Sequence, residues 1–261
     1  MFPLKDDIPT RRFPILTVAL IAINVVMFFG FQGAFFGSEE KFDDRVIDYG
    51  AIPYEISHPG KGCDLSASGQ ALICEGQEEV GGQAPDQPST WLTLLTSMFM
   101  HGGLLHIAGN MLFLWIFGNN IEDSMGRARF LGFYLLGGLA AVAAQVVIQP
   151  DAAVPTIGAS GAVAAVLGGY ALLYPRARVV TLIFIVIFFT VIELPALLVL
   201  GAWFALQALN GASELAGPVS GGGGVAYWAH IGGFLFGLAA IRLFANRVHD
   251  DYERAHRIPV Y

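Results

Sequence analysis

The sequence predicts an all-α integral membrane protein, a bundle of six transmembrane helices with a long external loop between helices 1 and 2. Three observations predict it. Of 261 residues, 55% are hydrophobic and only 13% charged, with a mean hydropathy of +0.60, which is too little polar residue to cover a soluble globule of this size. The apolar residues gather into runs close to the roughly 20 needed to cross a bilayer. Lys and Arg are shared unevenly between alternate loops, so their distribution says more than the net charge of -7, which itself argues against nucleic acid as a partner.

Taken in order, the spans fall at 13–34, 97–118, 130–149, 158–174, 195–210 and 226–245. The first follows Lys5, Arg11 and Arg12 and is longer than the apolar core of a secretory signal, so it reads as a span rather than a cleaved leader. The run from Val179 to Leu209 is too long for one helix. Pro195 suits the first turn of a helix, where a missing N–H costs nothing, and the fifth span therefore starts there. Val179 to Ile192, rich in β-branched and aromatic residues, is too short to cross and is expected as an interfacial or re-entrant segment. With the N-terminus inside, six spans place eleven Lys and Arg on the inner side and leave only Lys41, Arg45 and Lys61 outside, in line with the positive-inside rule. A seventh span would put the C-terminal arginines outside. Both termini are thus expected in the cytoplasm, with the inner membrane of a bacterium as the setting.

The external loop, 37–96, carries most of the acidic residues and both cysteines, Cys63 and Cys74. A local disulfide in an oxidising compartment and two free thiols are both open readings. The stretch from Asp64 to Ser89 is rich in Gly, Gln, Asp and Glu and reads as mobile. The apolar patches around Val46 to Ile56 and at Trp91-Leu92 are expected on the membrane surface.

Polar side chains inside spans are costly and mark functional sites. His101, His106 and Asn110 stand early in the second span, Ser160 opens the fourth in Gly158-Ala159-Ser160-Gly161, and His230 begins the sixth, ahead of Gly232-Gly233. All lie toward the external side. At 1.5 Å per residue His230 sits roughly 6–8 Å below a start near Val225 and His106 roughly 13 Å below a start near Ser97. The fourth span is short enough for Ser160 to begin below the surface, so the depths converge. His106 and Asn110, four apart, share a helix face and form a donor pair for an oxyanion. His101 is turned well away from them, as an interfacial or loop-bonding histidine. Ser160 at a helix N-terminus has backbone N–H groups aimed at any anion beside it, and His230 is placed as general base and then acid. Glu122, Asp123 and Glu193 belong to cytoplasmic ends, so the expected unit is a Ser–His dyad without a carboxylate. Gly158, Gly161, Gly168 and Gly169 on one helix and Gly233 and Gly237 on the other are expected to pack face to face. No H-E-x-x-H arrangement is present, so neither metal nor cofactor is expected, and no inverted repeat suggests a transporter.

These residues resemble the rhomboid intramembrane serine proteases: Gly158-Ala159-Ser160-Gly161, His230 with Gly232-Gly233 and Gly237, His106 with Asn110, and Gly126-Arg127 after Glu122. Some members carry Trp-Arg where this chain has Trp91-Leu92. The resemblance covers Trp91 to Phe244 and implies a rhomboid-like bundle within a single membrane domain, 1–261, with core 91–245, external loop 37–96 and cytoplasmic tail 246–261. It further implies Ser160 as nucleophile, His230 as base, and His106, Asn110 and the Ser160 N–H as the oxyanion pocket. The fifth span would be the wall through which a transmembrane-helix protein substrate enters from the lipid bilayer. An inactive relative that escorts client helices is the rival reading; it would be expected to lack Ser160 or His230.

Overall fold

The computed structural model describes residues 2–35, 37–65, 72–76, 88–185, 188–216 and 225–246. Most of the Asp64–Ser89 stretch and the tail beyond Asn246 lie outside the described residues. The fold is mostly helical. Among the described residues four helices are long and apolar enough to cross a membrane: Leu104–Met125, Arg127–Ile148, Ala196–Leu215 and Tyr227–Phe244. Ile15–Phe31 and Ser160–Leu173 are also apolar but shorter. The chain is an integral membrane protein.

In chain order, strand β1 (Phe2–Asp6) precedes helix α1 (Ile15–Val26), which runs into a π-helical turn at Met27–Phe31. Helices α2 (Glu39–Tyr49) and α3 (Pro53–Ser57) and the paired strands β2 (Cys63–Leu65) and β3 (Leu72–Cys74) form a cap. Helix α4 (Thr90–Thr96) ends in a 3-10 turn. Helix α5 (Leu104–Phe113) continues through a π-helical turn into α6 (Asn119–Met125), followed by α7 (Arg127–Ile148) and α8 (Ser160–Leu173). Strands β4 (Arg178–Ile185) and β5 (Phe188–Pro195) lead to α9 (Ala196–Ala216) and α10 (Tyr227–Phe244).

Helix α8 is the buried axis, wrapped by α7 and α10. Small residues make this possible. A Cβ on Gly233 would strike the carbonyl of Gly161, and one on Gly237 that of Ala165, so α8 and α10 meet backbone to backbone as the glycine faces predicted. Around this seam Phe133, Tyr134, Val166, Leu167, Tyr170 and Ile241 close the core.

Three features differ from expectation. Val179 to Ile192, expected as an interfacial or re-entrant segment, takes the form of an antiparallel β4–β5 hairpin, with Val186 and Ile187 outside the described residues, and β1 adds to its edge in the order β1-β4-β5. The β-branched residues that prevented a helix here thus find a ladder, satisfying backbone groups that a short extended segment would leave open. The second helix starts at Leu104 rather than Ser97, because the chain turns at Gly102-Gly103 between α4 and α5. Within the cap, Ile47, Ile52 and Tyr54 bury themselves against the disulfide-bonded Cys63 and Cys74 instead of resting on the membrane. Trp91 remains exposed.

The cap is tied to the segment before α8. Ala51 and Thr156 exchange backbone hydrogen bonds, Tyr54 N–H donates to the Ala152 carbonyl, and Ser57 Oγ donates to that of Pro150. At the opposite end of the bundle, Glu122 accepts from the Leu16 and Thr17 N–H groups and the Thr17 hydroxyl, neutralising the bare N-terminus of α1.

Candidate active site

Ser160, His106 and His230 all stand in the first turns of their helices. Ser160 is the first residue of α8, His106 the third of α5 and His230 the fourth of α10. His106 is therefore about 3 Å along its helix, not the 13 Å that a start at Ser97 required. The three helix ends converge on one cavity of about 760 Å³.

Ser160 Oγ lies 2.8 Å from His230 Nε2. Both side chains are half-buried. The serine is delivered by a bend in which the Gly158 N–H donates to the Ser97 carbonyl at 2.8 Å, while Gly158 itself takes φ +121°, a conformation L side chains rarely adopt. Space gives a second reason for glycine: a Cβ there would sit 2.7 Å from His106 Nε2 and 3.4 Å from Ser160 Oγ. Glycine leaves that volume open between a nucleophile and a donor.

His106 Nδ1 accepts from the Gly102 N–H at 3.3 Å, which leaves the proton on Nε2, facing Gly158. Asn110, one turn on, lines the same cavity, and its buried Nδ2 meets no acceptor among the described residues. An orphaned buried donor is expensive and calls for a ligand or a function. The backbone N–H groups of Ser160 and Gly161 open α8 and have no intrahelical acceptor. Hydroxyl, imidazole and several convergent donors around one open volume can perform acyl transfer. Among the described residues no three His, Cys, Asp or Glu side chains come together to hold a metal ion.

His101 is fully buried, outside the cavity lining, with its ring 5.1 Å from that of His106. Gln32, at the end of the first apolar helix, holds its backbone by two hydrogen bonds, one to the carbonyl and one from the N–H. One residue of the site escaped the sequence reading. Gln207 on α9 places Oε1 2.8 Å from His230 Nδ1, and Trp203, one turn earlier, sets its ring 5.8 Å from the imidazole. The available signal was an amide within a largely apolar span, which also holds Asn210.

The rhomboid domain model matches residues 88–247, more than half of the chain and all the residues of this cavity except Val46. The chain belongs to the rhomboid family. Among its relatives are presenilin-associated rhomboid-like protein A, mitochondrial, of Danio rerio, 32% identical over 156 residues (59% of this chain, 38% of the relative), and rhomboid protein 1, mitochondrial, of Saccharomyces cerevisiae, 30% identical over 157 residues (59% and 42%). The rhomboid protease GluP of Bacillus subtilis is 43% identical over 84 residues (32% and 16%). The chain thus spans about two-fifths of the length of the first two, or less. Rhomboids as a family are intramembrane proteases acting on membrane-protein substrates within the bilayer. The mitochondrial names among the relatives stand against the bacterial setting expected from the sequence, although one relative is bacterial.

Proposed function

We propose that this rhomboid is an intramembrane serine endopeptidase using a Ser160–His230 dyad to cut transmembrane helices of other proteins. The observation that carries the reading is the 2.8 Å approach of Ser160 Oγ to His230 Nε2 on the wall of a cavity with unsatisfied donors. In this reading all six apolar helices span, α1 and α8 by lying in a locally thin or well-covered section, and the cap marks the external side. Both termini then lie on the inner side, with the Lys and Arg residues.

Ser160 Oγ attacks the scissile carbonyl carbon as its proton passes to His230 Nε2. The carbonyl oxygen, now an anion, is held by His106 Nε2–H, Asn110 Nδ2–H and the Ser160 N–H. Such donors stabilise the transition state more than the ground state. His230 then protonates the departing amine, and water repeats the sequence on the acyl-enzyme. The substrate segment must first give up its helical hydrogen bonds at the cut, which favours small or helix-weakening residues there.

The test is cleavage of a single-span substrate by purified protein in detergent, comparing wild type with Ser160→Ala and His230→Ala. Both variants are expected to lose turnover by several orders of magnitude while still binding substrate. Equal cleavage by wild type and Ser160→Ala would remove Ser160 as the nucleophile and sink the dyad reading; a wild type that binds the substrate without cutting it would leave a non-catalytic binder of client helices.

A further inference from the structure

We infer that Gln207 is a positioning residue for His230, accepting a hydrogen bond from Nδ1–H and so holding the imidazole in the tautomer whose Nε2 takes the Ser160 proton. The inference rests on the protease reading and extends it from two residues to three.

A neutral imidazole carries one N–H, and which nitrogen bears it is set by the partner of the other. Only the tautomer protonated at Nδ1 presents a lone pair to Ser160. In soluble serine proteases a carboxylate enforces that choice, but Glu214, the acidic residue on α9, lies two turns beyond Gln207, about 10 Å along the helix. The carboxamide of Gln207, at 2.8 Å from Nδ1, is the acceptor in reach. A neutral acceptor also suits the location. A carboxylate within a membrane span is costly, whereas an amide oxygen fixes the tautomer without a charge. Trp203 and Gln207 are four apart and share a face of α9, so this helix supplies both a ring beside the imidazole and the acceptor at its Nδ1.

The source of the acceptor matters. Helix α9 is the least buried of the four long apolar helices, and its main neighbour is α10. The nucleophile and base belong to the tightly packed α8–α10 pair, but the group that orients the base belongs to the helix with least support. Displacement of α9 would therefore release the tautomer of His230 without separating it from Ser160.

The experiment uses the full chain in detergent as wild type, Gln207→Leu and Gln207→Glu, with Tm recorded for each. The readouts are kcat and KM on a single-span substrate from pH 5 to 9, and the rate at which a fluorophosphonate labels Ser160. Gln207→Leu is expected to lower kcat and the labelling rate about ten- to a hundredfold, part of the roughly 10²–10⁴ of general-base catalysis, with KM and Tm near wild type. Gln207→Glu, an acceptor only, is expected to stay within a few fold of wild type and to move the acid limb of its profile to higher pH, since the carboxylate favours the imidazolium. Among the described residues His106 on α5 is the other titratable group acting on His230, Ser160 faces it as a neutral group from α8, and Gln145 on α7 accepts from the adjacent Ala229 N–H; all are unchanged across the series. Wild-type rates in Gln207→Leu, or equal losses in both variants with a common acid limb, would overturn the inference and leave Gln207 a packing contact. Should Gln207→Leu lose its fold, an unmoved acid limb in Gln207→Glu overturns it alone. A wild type inert to substrate and probe would sink the protease reading and this inference together; an active wild type indifferent to Gln207 sinks this one only.

Discussion

Asn110 shows how function and stability oppose each other at a single residue. Its Nδ2 is buried without an acceptor, a state that burdens the folded protein by about 1–3 kcal/mol. Asn110→Ala removes both the burden and the proposed oxyanion donor. We expect kcat to fall about 10²–10³-fold, the range for loss of one such donor, while Tm stays level or rises. Thermal unfolding and single-turnover kinetics on one preparation check this; a falling Tm with intact kcat would make Asn110 structural. Ser160, His230, His106 and Asn110 were legible because polar groups in apolar spans stand out and because helix direction set their depth. Gln207 was equally polar and equally placed. It was missed because, unlike Asn110 four residues after His106, it shares no helix face with a reactive group of its own helix, and its meaning appears only when His230 Nδ1 is found beside it.

At the scale of elements, legibility followed the range of the interactions. Helices with glycine faces could be paired from their spacing, and α8 meets α10 through Gly161, Gly233 and Gly237. The strand partner of β4 could not, since Phe2–Asp6 lies some 175 residues away and its pairing leaves no periodic trace. The cap was obscured for a similar reason: its core closes only when Cys63 and Cys74 join and Glu55 accepts the Cys63 N–H. That core braces the segment leading to Ser160 through Ala51 and Thr156. Loop-closure entropy for a separation of 11 residues gives about 3 kcal/mol. Reduction, or Cys63→Ala with Cys74→Ala, is therefore expected to open the cap to limited proteolysis while the helices stay folded. Cleavage of substrate should slow several-fold, because the Pro150–Gly158 connection loses its brace. Undiminished activity in a cap that proteases now cut would show that α8 positions Ser160 unaided.

Across the whole molecule, the two ends of α8 are built on opposite terms. At the Ser160 end, donors are left without partners; about 15 Å along the helix, Tyr170 is fully engaged. Its hydroxyl donates to Asp6 Oδ2 at 2.6 Å, and Asn120 Nδ2 donates to the same oxygen at 2.5 Å, so that β1, α6 and α8 meet at one carboxyl group. Burial pushes the Asp6 pKa up to about 6 from 3.8, against the opposing effect of the Tyr170 hydrogen bond, with the Asp7 charge adding to the rise. The sign follows directly. The folded protein holds this proton more tightly than the unfolded chain does, so protonation of Asp6 stabilises the fold at low pH, and that contribution is lost as pH rises from about 4 to about 6. A rise from 3.8 to about 6 corresponds to about 3 kcal/mol at most. Asp48 and Glu55 in the cap also have raised pKa values, chiefly through burial, and they add to the same slope in any variant. The informative quantity is thus the difference between wild type and Asp6→Asn, which keeps an acceptor for Tyr170 and cannot ionise. Measured as Tm in detergent from pH 4 to 8, Asp6→Asn is expected to gain on wild type progressively up to about pH 6 and to hold a constant margin above it. Parallel curves would mean that the carboxyl group is ionised in both states and that its two donors, rather than its proton, hold β1 to the bundle.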